Sequence, residues 1–465
     1  MDPLTDSPRT RARKPPAESG RIPPATPEAV PLPPQTWGEI GLPHRFVEDL
    51  ILKMLYRRGA MTGDGLADAL NLPFWALDTE LLGYQQRRIV EVRGTGMHGR
   101  RGYLFDLTAE GRQRVREVLP AIPYVGPAPV PMSVYSDWME RQTLRKVRVG
   151  AAEVARGFAD LVVDPTLIRR LGPAINAGRS IFLHGDAGNG KTAMAERIAR
   201  AYPGDVFIPR AILVGGQVIQ LFDPSVHEPV DPEPPRSESE LLRPAPVYDP
   251  RFVRIRRPMV TVGGELTLDQ LELRWDASLG VFRAPPQLKA VGGVFLVDDF
   301  GRQQVRPRDL LNRWMIPLDR GIDHLSLPNG QVVQVPFDCL VIFATNLDPR
   351  DLVEEAFFRR IRHKVRVDNP TPSQYREIFR QACLRKNVPY DEGAVKFVEE
   401  HYYEGRNIEP RACHPGDLVS DLCDLADYMG LRPTLDRLLL QPTCESYFGA
   451  DLTDRPGGGG ALNGI

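Results

Sequence analysis

Residues 179–202 read RSIFLHGDAGNGKTAMAERIARAY, and this stretch decides the fold. Ser180–His184 is a short apolar run of the length expected for a strand buried in a parallel sheet. The octet GDAGNGKT, Gly185 to Thr192, follows directly, and a helix-forming run begins where it ends. Strand, glycine-rich loop and helix is the context in which this pattern cradles phosphates. Glycines at 185, 188 and 190 let the backbone curl so that its N–H groups point inward, and the helix start adds the positive end of its dipole. The predicted ligand-binding set is Gly185, Asp186, Ala187, Gly188, Asn189, Gly190, Lys191, Thr192 and Ala193. Lys191 is expected to reach the β- and γ-phosphates of a nucleoside triphosphate, and the Thr192 hydroxyl to ligate Mg2+.

Two further strands bear on the same chemistry. GGVFLVDDF, residues 292–300, is an apolar run ending in two acids. Asp298 is expected to hold Mg2+ through its water shell, and Asp299 to polarise an attacking water from a side chain one methylene shorter than glutamate. CLVIFATN, residues 339–346, ends on Asn346, whose amide could orient that water. LDPRDLVEEAFFRRIRHKV follows at 347–365.

This set of motifs resembles that of AAA+ ATPases. The resemblance covers roughly residues 150–445. It implies ATP as the nucleotide, Mg2+ as the metal and a homo-oligomeric ring, a hexamer, with sites between subunits. Asn346 matches sensor 1. Arg359 and Arg360 match the arginine-finger region that reaches a neighbour's γ-phosphate, with Arg362 a third candidate, and the sequence does not choose between them. In EPRACHPGDLV, residues 409–419, Gly416 stands where the family's sensor 2 arginine belongs, which leaves Arg411 as the nearby candidate. SLPNGQVVQVPFDCLVIFATN, residues 326–346, sets an Asn-Gly turn between alternating runs, a hairpin signal. A hairpin just before sensor 1 is similar to the branch containing MoxR-type ATPases, magnesium chelatase and enhancer-binding activators. The chain also resembles bacterial proteins described as predicted ATPases with chaperone activity.

Working outward, the sequence predicts an α/β fold: a P-loop NTPase AAA+ core with a parallel sheet and a helical lid, preceded by a winged helix-turn-helix domain. Residues 1–42 are rich in proline and arginine and read as a disordered tail. Residues 43–119 resemble a winged helix domain, with helical runs from Phe46, Met61 and Pro73, two strands joined by GTGMHGRR, and a closing helix after Thr108. Residues 120–149, opening on PAIPYVGPAPVPM, read as a stiff linker. Residues 150–368 form the core, with a β-hairpin insertion at about 206–288 in which Trp275 and Phe282 are candidate contacts in a ring's pore. Residues 369–449 form the lid, and 450–465 a flexible Gly-rich tail.

The bulk properties fit this division. The chain has 465 residues, 42% hydrophobic and 26% charged, with a formal net charge of −1. That balance excludes a general nucleic-acid coat and leaves room for a local basic patch. Five scattered cysteines, with no CxxC pair, read as reduced thiols in a cytoplasmic protein without a zinc site. No apolar run is long enough for a membrane span, and no signal peptide is visible.

Three functions are open at this level. The chain could be a ring ATPase that remodels a protein client. It could be a DNA-directed ATPase addressed by its winged helix, where Arg87, Arg88, Arg93, Arg100 and Arg101 could grip phosphates. It could also be a slow switch in which ATP holds an assembly together, because Asp299 is short for its task.

Overall fold

The computed structural model describes residues 30–97, 99–120, 122–231, 248–327, 329–348 and 361–450. Residues 30–42, expected to be disordered, form part of the packed body. Thr36 caps the short helix α1 (Trp37–Ile40), and Ile40 and Leu42 are buried. Ile40 and Leu42 carry the apolar surface that the proline-rich composition conceals. The expected tail at residues 1–29 lies outside the described residues.

Helices α2 (His44–Arg58), α3 (Gly63–Leu70) and α4 (Phe74–Gln86) follow, with β1 (Met61–Thr62) between the first two. Strands β2 (Val90–Gly94) and β3 (Leu104–Leu107) form an antiparallel hairpin whose inner strand also pairs with β1. Helix α5 (Ala109–Val118) closes the unit, and the Thr108 hydroxyl accepts from the Gly111 N–H at 3.1 Å. Leu50, Ile51, Leu66, Leu77, Leu81, Phe105 and Val115 make its core. Apolar residues at helical spacing therefore do pack inward as periodicity requires.

Lys53 sits in this core, only 2% exposed, and donates to the Ile122 carbonyl at 2.9 Å. Burial lowers its ammonium to about 8 from 10.5, against the weaker opposing pull of Asp49. A lysine whose folded value lies below its unfolded one destabilises the fold while it stays protonated in both states. The penalty is complete below about pH 8 and is relieved as pH rises toward 10.5. Lys53→Met is expected to stabilise the fold at pH 7 by roughly 1–3 kcal/mol. In thermal denaturation across this range, the advantage should shrink above pH 8.

Residues 120–149 are not a linker throughout. Strand β4 (Val130–Pro131) leads into α6 (Met132–Arg141), which buries Tyr135, Trp138 and Met139. The Trp138 indole N–H and the Gln142 amide both donate to the Phe207 carbonyl, at 3.2 and 2.6 Å. The apolar spacing of Met132, Tyr135, Trp138 and Met139 is helical, a signal masked by the prolines just before it.

The core continues through α7 (Ala151–Gly157), α8 (Pro165–Ala177), β5 (Ser180–His184) and α9 (Lys191–Ala201). The insertion then contributes β6 (Asp205–Pro209), β7 (Ala211–Val214), β8 (Gln217–Gln220) and β9 (Phe252–Arg256). Strand β10 (Met259–Val262) falls inside the range expected to be insertion, yet it belongs to the main sheet, pairing in parallel with β13 (Val294–Val297). The insertion is therefore split: it resumes after β10 with β11 (Arg274–Asp276) and β12 (Val281–Arg283), ahead of the short helix α10 (Pro286–Lys289) and β13. A lone hydrophobic strand cannot be assigned to a sheet from its own pattern.

After β13 come α11 (Pro307–Arg320), the hairpin β14 (Ile322–Ser326) and β15 (Val332–Pro336), then β16 (Leu340–Thr345) and β17 (His363–Arg366). The main sheet is five-stranded in the order β10-β13-β16-β5-β17, and every pairing is parallel. Its side chains alternate between two cores, with Ile181, Leu296 and Ile342 on one face and Phe182, Phe295 and Phe343 on the other. A second five-stranded sheet, β11-β12-β8-β7-β4, lies between the N-terminal core and a third cluster. Val218 and Val281 face the former, and Ile219 and Phe282 the latter. Phe282 is thus a core residue, whereas Trp275 is exposed beside it, with ring centroids 4.9 Å apart. The hairpin predicted at Asn329-Gly330 exists, but Leu325, Val333 and Val335 dock it on the insertion.

The C-terminal part is helical: α12 (Pro372–Arg385), α13 (Glu392–Val398), α14 (His414–Met429) and α15 (Arg437–Ala450). Thr371 and Gln374 form a capping box at its start. Tyr375, Phe379, Leu418 and Leu422 give it a core of its own. The Gly-rich tail beyond 450 lies outside the described residues. Among the described residues no helix is long and apolar enough to cross a membrane, and all five cysteines are free.

Candidate functional site

The glycine-rich loop leaves the inner strand β5 at His184 and enters α9 at Lys191. Gly185, Gly188 and Gly190 have φ of +141°, +83° and +78°, conformations that disfavour a side chain. Two are also crowded. A Cβ at Gly185 would stand 2.1 Å from the Val367 carbonyl oxygen, and one at Gly188 2.5 Å from the Cys413 sulfur. Lys191 is 9% exposed, and its Nζ donates to the Gly185 and Asp186 carbonyls, each at 2.8 Å. Burial holds this ammonium below the usual lysine value, and Asp298, Asp299 and Asp186 oppose that shift.

The two acids of GGVFLVDDF arrive from the end of β13. The Asp298 N–H donates to the Val262 carbonyl at 2.8 Å, which fixes it against β10. The Thr192 hydroxyl donates to Asp298 Oδ2 at 2.8 Å, so two motifs 106 residues apart meet directly. Asp299 adopts a left-handed backbone, φ +46°, a conformation rare for a residue other than glycine. Its neighbours hold it there. The Gln303 amide donates to the carbonyls of Asp298 and Asp299, at 2.8 and 3.2 Å. The Phe300 N–H donates to Ala344, and the Thr345 hydroxyl to the Phe300 carbonyl, both at 2.7 Å. Asn346 stands at the end of β16, the strand between β13 and β5, and its buried Oδ1 accepts no hydrogen bond from any described residue.

These groups share one cavity of about 500 Å³. Ala187 to Met194, Asp298, Asp299 and Asn346 line it from the core, and Ala412 and Cys413 from the helical domain. Sequence reasoning missed two further sets. Leu161, Val162 and Val163, between α7 and α8, bring apolar surface. Ile378, Gln381 and Arg385 face in from α12. Their spacing of three and four residues was a legible helical stripe, but nothing in the sequence said that it faced a cavity.

The remaining predicted residues stand apart. Arg411 lies outside the cavity wall, although its Cδ comes within 3.6 Å of the Cβ position at Gly188. Gly416 lies in the first turn of α14, and a Cβ there would meet nothing within 4 Å. Arg359 and Arg360 lie outside the described residues. Arg362 is described and exposed.

The oxygen donors fit Mg2+. The Thr192 hydroxyl and the Asp298 carboxylate are hard ligands already at hydrogen-bond distance. Among the described residues no cluster of three or more His, Cys, Asp or Glu side chains could hold a metal alone.

Residues 371–446 match a family model described as a domain of unknown function, DUF8689. No curated protein matches the chain. Among solved structures, NtrX from Brucella abortus is similar at 16% identity and a TM-score of 0.38, over 65% of this chain and 58% of that one. The same protein in complex with ADP is similar at 16% identity and a TM-score of 0.38, over 66% and 59%. A mutant RuvB of Thermotoga maritima is similar at 13% identity and a TM-score of 0.34, over 66% and 72%. The chain spans less than two thirds of the length of the NtrX chains. Superpositions this loose carry no argument about the site, whose reading rests on its own geometry.

Proposed function

We propose that this chain is an Mg2+-dependent AAA+ ATPase that works as a homo-oligomeric ring, a hexamer, and remodels or assembles a protein client. The observation that carries this reading is the Thr192–Asp298 contact at the mouth of a glycine loop on an inner strand of the parallel sheet. In this reading the inward N–H groups of residues 185–193 bind the phosphates of ATP, and Lys191 reaches the β- and γ-phosphates. Thr192 and Asp298 hold Mg2+, which supplies charge neutralisation on the transferring phosphoryl group. Asp299 and Asn346 orient a water. Its oxygen forms the new bond to the γ-phosphorus while the bond to the β-phosphate oxygen breaks, leaving ADP and phosphate. Arg359 or Arg360 of a neighbouring subunit would complete the site, and Arg411 would approach the loop from the helical domain.

The test is Mg2+-dependent phosphate release by the full chain. Asp298→Asn is expected to lower turnover at least about 100-fold. Equal turnover by this variant would sink the hydrolytic reading. A second reading, a slow assembly switch, draws on the short reach of Asp299 and its left-handed backbone. Asp299→Glu separates the two: a rise of about 10-fold or more supports the switch, and a fall supports an Asp299 already fitted to its task.

A protein-directed role is favoured over a DNA-directed one. Arg100 donates to Asp78 and Gln85, at 2.6 and 3.0 Å, Arg93 pairs with Asp106 at 2.9 Å, and Arg87 with Glu48 at 3.2 Å. Arginines satisfied by carboxylates of their own unit have little net charge left for phosphates. Helix α4 also spends Phe74, Leu77, Leu81 and Tyr84 on the core.

A further inference from the structure

The geometry points to Asn189 as a positioning residue that registers the helical C-terminal domain on the phosphate loop, so that this domain can hold the nucleoside end of the ligand. The inference rests on the nucleotide-binding reading above and adds a division of labour within that site.

Asn189 is the one long polar side chain among the residues between Asp186 and Lys191, and it is only 4% exposed. It points away from the role of its own backbone. Its Nδ2 donates to Asn369 Oδ1 at 2.6 Å, and its Oδ1 accepts from the Ala412 N–H at 3.2 Å. Asn369 in turn donates to Glu409 Oε2 at 2.6 Å. Beside it, the Gly188 carbonyl accepts from the Cys413 N–H at 2.9 Å. The outer surface of the loop is therefore occupied by the helical domain, while the inner N–H surface is left for phosphate.

The partners are placed where registration matters. Asn369 lies in the short crossing from β17 to Thr371, which caps α12. Ala412 and Cys413 immediately precede α14. One buried amide thus holds both the entry to the domain and the start of its third helix. Two hydrogen bonds from one planar group fix orientation as well as distance. Besides Ala412 and Cys413, the domain lines the cavity through Ile378, Gln381 and Arg385 on α12, which share it with Leu161–Val163. Where those side chains stand depends on how the domain is seated, and the seat is Asn189. Gly416, in the first turn of α14, has no side chain with which to reach the loop.

The consequence is a separable effect on two probes. In the full chain with Mg2+, Asn369→Ala, made outside the loop, is expected to weaken ATP binding about 10-fold and to leave inorganic tripolyphosphate within about 2-fold, because the backbone cradle survives. Asn189→Ala, made from the loop side of the contact, should weaken ATP binding by at least as much. The double variant should bind ATP no more weakly than Asn189→Ala alone, since one coupling is being removed twice. Calorimetric titration of both probes reads all of this. Equal weakening of both probes by Asn369→Ala would overturn the inference, as would unchanged ATP binding or additive losses. Wild-type protein that binds neither probe would overturn the nucleotide-binding reading and this inference with it, an outcome distinct from the other three.

Discussion

Lys191→Ala is expected to remove Mg2+-dependent ATP hydrolysis, a loss of at least about 100-fold, with the fold intact. The lysine occupies a site that is dry enough to lower its ammonium, with three carboxylates near enough to pull the other way. Its protons are spent on the Gly185 and Asp186 carbonyls. A bound triphosphate would add negative charge to that site and offer stronger acceptors, so the ammonium would turn to it at little cost in reorganisation. Alanine removes the only cation that the loop itself supplies. The two released carbonyls border a cavity of about 500 Å³ and can be met by water, so the variant should unfold within a few degrees of wild type. Phosphate release and a thermal melt, run side by side, check both halves. Retained turnover would sink the assignment of this loop as a catalytic phosphate site.

The second large effect is on stability. Arg251→Ala is expected to destabilise the chain by about 3–5 kcal/mol. Arg251 and Asp249 are 1% and 3% exposed, and their side chains meet at 2.7 Å. The guanidinium also donates to the Ile40 carbonyl at 2.9 Å, and the Asp249 N–H donates to the Pro31 carbonyl at 2.7 Å. This pair therefore ties the N-terminal segment to the insertion. Removing the arginine alone strands a buried carboxylate, which is costlier than removing both charges. The paired variant Arg251→Met with Asp249→Leu should recover most of the loss in urea denaturation. Equal stability of Arg251→Ala and wild type would show that the contact contributes nothing.

Much of the site was legible because its chemistry is local. Gly185, Gly188 and Gly190 are spaced for a loop whose backbone does the binding, and such a loop needs only a strand before it and a helix after it. Asp298, Asp299 and Asn346 were legible for a related reason, since each ends an apolar run long enough to be a buried strand. The helical domain was legible as a run of helix-forming segments, and the structure adds the capping pair Thr371 and Gln374 at its start. Less was visible where the decisive partner is distant. The stretch after Pro120 looked like a linker because proline dominates its composition, yet Trp138 buries itself against Phe207, a residue of the insertion. Met259–Val262 looked like one more insertion strand, and only its register with Val294–Val297 assigns it to the main sheet.

The sequence by itself determined that this protein is an α/β molecule with a glycine-rich loop between a strand and a helix, two acids at a strand end and a helical C-terminal part, because these follow from spacing along the chain. Only the tertiary structure decided that Thr192 meets Asp298, that Arg385 and not Arg411 lines the cavity, and that Asn189 turns outward to the helical domain. Each of those is a contact between residues that chain distance leaves free. The packing of the two five-stranded sheets against their apolar cores chooses among the arrangements, since buried apolar surface fixes where strands end and what their last side chains face.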